Sequence, residues 1–433
     1  WVPYVCLPNG TLVSSSGNVP DFLTNPVMLG RVVGAMTVYY LRDGNPLWKQ
    51  TIEQLIDRLN QLVVTKTDPV HGEYSYVPSA FLTPQCQMPA NPPMPIDIYA
   101  EEFGGRLIQG PSQYYRATGY QPALDLARKC ANYLRNMGQY YLPDGRFYNG
   151  GQGGVIGGHF AAHSHGLQYL LDYALVAGDQ DMVDFVKNSY EWARTQGADL
   201  IGYFPELIVP GRATEICADA DMLSIALKLT QTGAGDYYDD ADRWTRNIMA
   251  YYQTTQGSYP PGCCNGNATR TLYWIWQHIL NFESGQLKIN LLMNRASPWA
   301  DVYSHIPYEG RVDVKLKTAC DEVLLRAPQW IESGTSALNC TVNGQSRAVS
   351  WQGRYVNLGS GQQGDRFRVN FPIWEWTALQ HMAGVDYSVT FKGNTAVAVS
   401  PAMGGLFSNA QYRQNQALMR DVNRFVSDQV IEW

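Results

Sequence analysis

The segment Pro260-Pro261-Gly262-Cys263-Cys264-Asn265-Gly266-Asn267 carries two adjacent cysteines, and Glu215-Ile216-Cys217 stands upstream of it. Together these supply three thiols and one carboxylate, the number and type of ligand that a four-coordinate zinc ion takes. Neighbouring cysteines rarely bridge each other, because a disulfide between them strains the intervening peptide. Gly262 before the pair and Asn265-Gly266 after it let the backbone bend so that both sulfurs face one ion. From these residues alone, a reactive zinc-thiolate site and a closed zinc site that only pins loops are both open readings.

A second concentration of chemistry lies at His159, His163 and His165, three of only seven histidines in the chain. They follow the glycine-rich stretch Asn149-Gly150-Gly151-Gln152-Gly153-Gly154-Val155-Ile156-Gly157-Gly158. That stretch lacks the Gly-Lys-Ser/Thr ending of a phosphate loop, so it does not read as a nucleotide site. Glycines before a helix let the backbone approach a ligand closely. On a helix, His163 and His165 diverge by about 200° and cannot both face one centre. A second zinc site is therefore a poor reading of this trio, while core histidines bonded to backbone remain an alternative.

The elements that must hold these groups change character along the chain. Tyr39 to Gly44, Tyr114 to Gly119, Tyr173 to Gly178 and Leu227 to Gly233 each read as a helix ending at a glycine. The helical stretches Pro46 to Val63, Pro122 to Met137, Met182 to Thr195 and Tyr237 to Tyr252 follow them. Repeated helical hairpins with long, variable loops and no evident capping repeat point to a closed toroid of paired helices, its loops gathered at one end to form a site. Near residue 285 the period changes. Arg311 to Lys317 and Asp365 to Phe371 alternate polar and apolar residues as half-buried strands do, and Val342-Asn343-Gly344-Gln345 signals a hairpin. The tail from Gln411 to Val430 returns to a helical pattern.

A length of 433 residues allows two or three domains. A formal charge of -6 without basic clusters argues against nucleic acid and anionic membranes as partners, and no apolar run is long enough to span a bilayer. Aromatic residues make up 12% against 16% charged, a balance that suits neutral ring-shaped ligands such as sugars and equally suits an aromatic core. Eight cysteines are too sparse for a disulfide scaffold. Asn9, Asn267 and Asn339 each begin an Asn-X-Thr glycosylation acceptor, a frequency that chance also produces. An extracytoplasmic site of action is favoured, with the cytoplasm as the alternative, and a start at Trp1 reads as a processed or trimmed chain.

Glu215-Ile216-Cys217, the Cys263-Cys264 pair followed by Asn267, the helical first part and the strand-rich second part resemble glycoside hydrolase family 127, the β-L-arabinofuranosidases. Leu287 to Asn294, Leu325-Arg326-Ala327-Pro328-Gln329-Trp330, Val342-Asn343-Gly344 and Gly364-Asp365 resemble that family's strand landmarks in the same order. The resemblance implies an α+β multidomain chain. An (α/α)6 helical toroid over residues 1–284 is followed by an antiparallel β-sandwich over 285–405 and a helical tail over 406–433.

It further implies zinc held by Glu215, Cys217, Cys263 and Cys264, with Cys263 as nucleophile of a retaining exo-glycosidase. The expected product is a terminal sugar, β-L-arabinofuranose first, released from an oligo- or polysaccharide. The family's acid/base glutamate corresponds to Glu206, across a shorter interval than the family's, with Asp199 as fallback and Asp219 or Asp221 as more distant options. His165, then His163 and His159, correspond to the family's sugar-binding helix. Two departures bear on which sugar is bound: Asn265-Gly266 replaces the family's prolines, and the span from Cys217 to Cys263 is short. The alternatives are a polysaccharide lyase on a similar toroid and a non-catalytic glycan-binding protein with structural zinc. The lyase would want an Arg/Lys cluster beside the histidines, which the sequence lacks.

Overall fold

The computed structural model describes residues 4–6, 12–14, 26–77, 100–150, 154–252 and 263–403. The side chains of 4–6, 12–14, 26–29, 100–106 and 263 lie outside that description. By internal contacts the described residues form two compact units, one running to Ala193 with Leu207–Val209, the other of 194–206 and the described residues from Pro210 onward. The expected helical tail falls outside the described residues. Among the described residues, no helix is long and apolar enough to cross a membrane.

The first unit is built from helices α1 (Pro26–Asp43), α2 (Pro46–Leu62), α3 (Ala100–Thr118), α4 (Gln121–Asn132), α5 (Phe160–Ala177) and α6 (Gln180–Arg194). Asn45 starts α2, its side chain accepting from the Leu47 N–H at 3.0 Å, with Pro46 in the first turn where a missing N–H costs nothing. The α1/α3 crossing is tight because Gly110 backs onto the Gly30 carbonyl, leaving no room for a methyl. Val33, Ile52, Ile56, Tyr114 and Ala123 form an apolar cluster among α1 to α4. Helix α5 is buried on nearly every side from Phe160 to Ala174, as an all-round apolar helix at the centre of a helical layer must be. At the glycines expected to stop helices, Gly44, Gly119 and Gly178 have φ of 66°, 72° and 68°, the left-handed cap that a side chain resists.

The second unit begins with α7 (Ile216–Gln231), which is as fully buried as α5, and its following Gly233 has φ of 76°. Next come α8 (Tyr238–Trp244), a π-helical turn over Thr245–Met249, α9 (Ala250–Tyr252) and α10 (Cys263–Ile279). Helix α10 ends against Arg295, whose guanidinium donates to the Gln277 and Leu280 carbonyls at 3.0 and 2.8 Å and lies over the Trp276 ring. A cation there meets the negative end of the helix.

In this unit the strands start at Leu280, after α10. Two sheets share one core: a six-stranded sheet that includes Ala300–Ser304, Arg311–Leu316, Asn339–Val342 and Arg366–Asn370, and a five-stranded sheet that includes Leu280–Glu283, Gln286–Ile289, Glu322–Arg326 and Tyr355–Asn357. Val312, Val314 and Leu316 alternate inward to meet Phe367, Val369, Leu287, Ile289, Val323 and Leu325. The Val342-to-Gln345 hairpin turns through Asn343 and Gly344, with φ of 51° and 84°. One pairing departs from the antiparallel expectation: Gln286–Ile289 and Glu322–Arg326 run parallel. A separate three-stranded antiparallel sheet follows, Glu375–Met382, Val385–Lys392 and Thr395–Ser400. Cys320 and Cys340 are free thiols in the sandwich core, and burial pushes the Cys340 thiol up to about 11.

Candidate metal centre and active site

Helices α7 and α10 lie side by side and run the same way. Cys217, Ser224 and Lys228 of α7 meet Cys264, Thr271 and Trp274 of α10 in that order. Parallel helices present both N-termini at one end, where unpaired N–H groups and the helix dipoles favour negative charge. Glu215 occupies the N-cap of α7 in an extended conformation without using its side chain as a cap. Cys217 lies in the first turn of α7, and Cys263 and Cys264 open α10.

The result is a cluster. Cys217 Sγ stands 3.4 Å from Cys264 Sγ, and Cys264 Sγ stands 3.6 Å from Glu215 Oε1. The three ligand atoms all lie within 4.8 Å of one another. The sulfurs are too far apart for a disulfide, whose bond is ~2.05 Å. Two thiolates and a carboxylate oxygen around tetrahedral zinc would sit about 3.8 Å (S to S) and about 3.6 Å (S to O) apart. The donor set and its spacing fit that ion. The side chain of Cys263, the fourth expected ligand and expected nucleophile, lies outside the described residues.

Around the cluster the loop before α7 folds back on itself. The Glu206 N–H donates to the Ala213 carbonyl at 2.7 Å, and Pro205 bridges Thr214, so backbone pairing closes the interval between Glu206 and Glu215. The Glu206 side chain is exposed. Asp219, fully buried one turn into α7, holds this loop: its carboxyl accepts from the Phe204 N–H at 2.9 Å and from the Thr214 hydroxyl at 2.9 and 3.0 Å. Burial pushes its proton affinity well above the usual carboxylate range, and the neighbouring Glu215 and Cys264 add to this, against the two hydrogen bonds. Tyr252 donates to the Thr214 carbonyl at 3.1 Å, its phenol likewise raised by burial. Asp199, the fallback acid, is tied elsewhere: its carboxylate pairs with Arg194 and its carbonyl accepts from the Trp244 indole.

One turn below the thiols, Asn267 is buried. Its amide donates to the Cys217 carbonyl at 3.1 Å and to Asp221 Oδ1 at 2.9 Å, and its oxygen accepts from Arg270 at 2.6 Å. The sequence marks Asn267 only as a motif landmark and a glycosylation match, and neither points to this role. Asp221, fully buried, serves as its acceptor. Trp274 is core: Lys228 and Arg270 lie over its ring at 4.2 and 4.9 Å.

The histidine trio belongs to the first unit. His159 caps α5, its Nδ1 accepting from the Ala162 N–H at 3.0 Å. His163 stacks on Phe147, and its ring nitrogens face the His159 and Tyr148 carbonyls at 2.8 and 3.2 Å, the arrangement of a core histidine. His165 is buried on the next face, with Nδ1 at 2.7 Å from the Ala161 carbonyl and its ring beside Tyr169.

Comparison with solved structures gives the fold its relatives. A family 127 β-L-arabinofuranosidase from Geobacillus stearothermophilus T6 superposes with a TM-score of 0.52 at 16% identity, covering 88% of this chain and 78% of its own. A second family 127 β-arabinofuranosidase superposes with a TM-score of 0.54 at 14% identity, covering 89% of this chain and 77% of its own. The fold is the family 127 fold. The resemblance drawn from the sequence thus holds at the level of architecture, an α+β chain with a helical toroid and antiparallel sheets. No protein-family model matches the chain, and no curated protein matches it by sequence.

Proposed function

We propose that the protein is a retaining glycoside hydrolase that releases a terminal sugar, β-L-arabinofuranose first among candidates, from an oligo- or polysaccharide. The observation that carries this reading is the convergence of Glu215, Cys217 and Cys264 at two parallel helix N-termini, in a chain with the family 127 fold. Glu215, Cys217, Cys264 and the adjoining Cys263 would hold zinc, which keeps its bound thiols deprotonated at neutral pH.

Cys263, at the first position of α10, is the proposed nucleophile. Its sulfur attacks the anomeric carbon as the bond to the leaving oxygen breaks, and Glu206 gives that oxygen its proton. Glu206 then takes a proton from water, the hydroxide oxygen displaces the sulfur, and the two inversions leave the anomeric configuration retained. His165 is the proposed sugar-binding residue of α5, ahead of His163, both of whose ring nitrogens face backbone carbonyls, and of His159, which caps the helix.

Metal analysis combined with a panel of para-nitrophenyl furanosides and pyranosides tests the reading. Sugar release by a zinc-containing protein is expected. Unsaturated products would assign a lyase, and binding without turnover would assign a glycan-binding protein. Cys263→Ser should lower the rate at least ~10³-fold while the protein still folds. An unchanged rate with zinc retained would remove Cys263 as nucleophile.

A further inference from the structure

The contact between α7 and α10 is polar along its length. From the thiols downward it runs through Cys217 and Cys264, then Cys217 O and Asp221 with Asn267, then Ala220 O and Ser224 with Thr271. These positions recur every three or four residues on both helices, so one face of each is spent on hydrogen bonds where aliphatic packing would normally sit. Such a buried seam tolerates little sliding, because a shift leaves buried donors and acceptors unmatched.

Asn267 is the member of this seam that touches the metal cluster from below. It sits one turn after Cys264 on α10, and its amide grips the carbonyl of Cys217 on α7. Both amide hydrogens and the amide oxygen have partners: Cys217 O, Asp221 Oδ1 and Arg270. Flipping the amide would set its oxygen against two acceptors and its NH2 against a guanidinium, so one orientation is fixed. Arg270 is itself braced over the Trp274 ring.

We infer that Asn267 is a positioning residue for the metal centre: through Cys217 O, Asp221 and Arg270 it locks α7 to α10 in the register that sets the Cys217 and Cys264 sulfurs around one ion. This rests on the zinc reading given above. Groups behind a metal's ligands typically change metal affinity ~10- to 100-fold when removed. Asn267→Ala should therefore weaken zinc, measured by competition with a chromophoric chelator, by about that factor. It should also shift the thiolate-to-metal charge-transfer band of the cobalt-substituted protein. Ser224→Ala removes a buried hydrogen bond of the same seam without touching either cysteine. It should lower the melting temperature comparably and leave both metal readouts at wild-type values.

If Asn267→Ala fails to fold, Arg270→Gln serves. It keeps Asn267 but removes the donor that fixes its amide, and several-fold weaker zinc binding is expected. Wild-type affinity and spectrum in a folded Asn267→Ala or Arg270→Gln protein would overturn the inference, as would an equal loss in Ser224→Ala. A wild-type protein that binds neither zinc nor cobalt would remove the metal reading, and this inference with it.

Discussion

Glu206 and Glu215 share a side chain and have opposite surroundings, which separates the roles available to them. Glu215 stands against the thiol of Cys264 at a helix N-terminus, a place that favours an anionic ligand. Glu206 is held only through its backbone, with its carboxyl exposed, as suits a group that must exchange protons with water between two half-reactions. Glu206→Gln should cut turnover of natural glycosides by ~10²–10⁴-fold while sparing aryl glycosides whose leaving groups need no proton. Equal rates on both substrate types would show that another group is the acid. Thiol identity and spacing made the candidate metal donors legible in the sequence. Asn267 was legible only as a landmark, because an amide's three partners on another helix leave no local pattern. The burial of Asp219 was hidden for the same reason: its partners Phe204 and Thr214 come from a loop folded back over α7.

At the scale of elements, the parallel pairing of α7 and α10 explains why a cysteine at one helix start and a cysteine at another meet at all. Removing the ion should loosen both helix starts together. A chelator should lower the unfolding free energy by about 3–4 kcal/mol when zinc had been present at a hundred- to thousandfold over its Kd, read as a fall in melting temperature. An unchanged melting temperature after metal is verifiably stripped would contradict this coupling. The glycine helix stops were legible because a left-handed cap selects glycine. A methyl added at Gly119, Gly178 or Gly233 meets nothing within 4 Å, so replacing any of them with Ala should cost only the backbone penalty, about 1–2 kcal/mol in denaturant unfolding. The π-helical turns at Tyr133–Met137 and Thr245–Met249 were not legible, since an inserted backbone residue leaves the side-chain pattern helical. Nor was the parallel strand pair, because period-two alternation is the same for either direction.

For the whole molecule, residue patterns locate the change from helix to strand near residue 285, five residues after the strand that follows α10 starts, whereas the division by contacts falls at Ala193. Pattern reports element type, and contact density depends on which elements meet. Each unit holds a histidine whose proton affinity desolvation lowers: the buried His163 in the first unit and the half-buried His278 in the second both fall below 6.5. A depressed histidine contributes stability above its unfolded value, and this is lost as pH falls through the folded one. Urea midpoints should therefore decline on acidification below 6.5, and His163→Gln should flatten the slope. A pH-independent difference between wild type and variant would contradict the assignment. The buried amide of Asn267 has a last consequence, for how the protein is made. Asn267-Ala268-Thr269 is an acceptor that a eukaryotic secretory pathway reads on the nascent chain, before α10 can dock on α7. A glycan attached there would occupy the nitrogen that the helix pair needs, so material from yeast or insect secretion should split by mass into a modified, metal-poor fraction and an unmodified, metal-binding one, whereas bacterial expression should give only the latter.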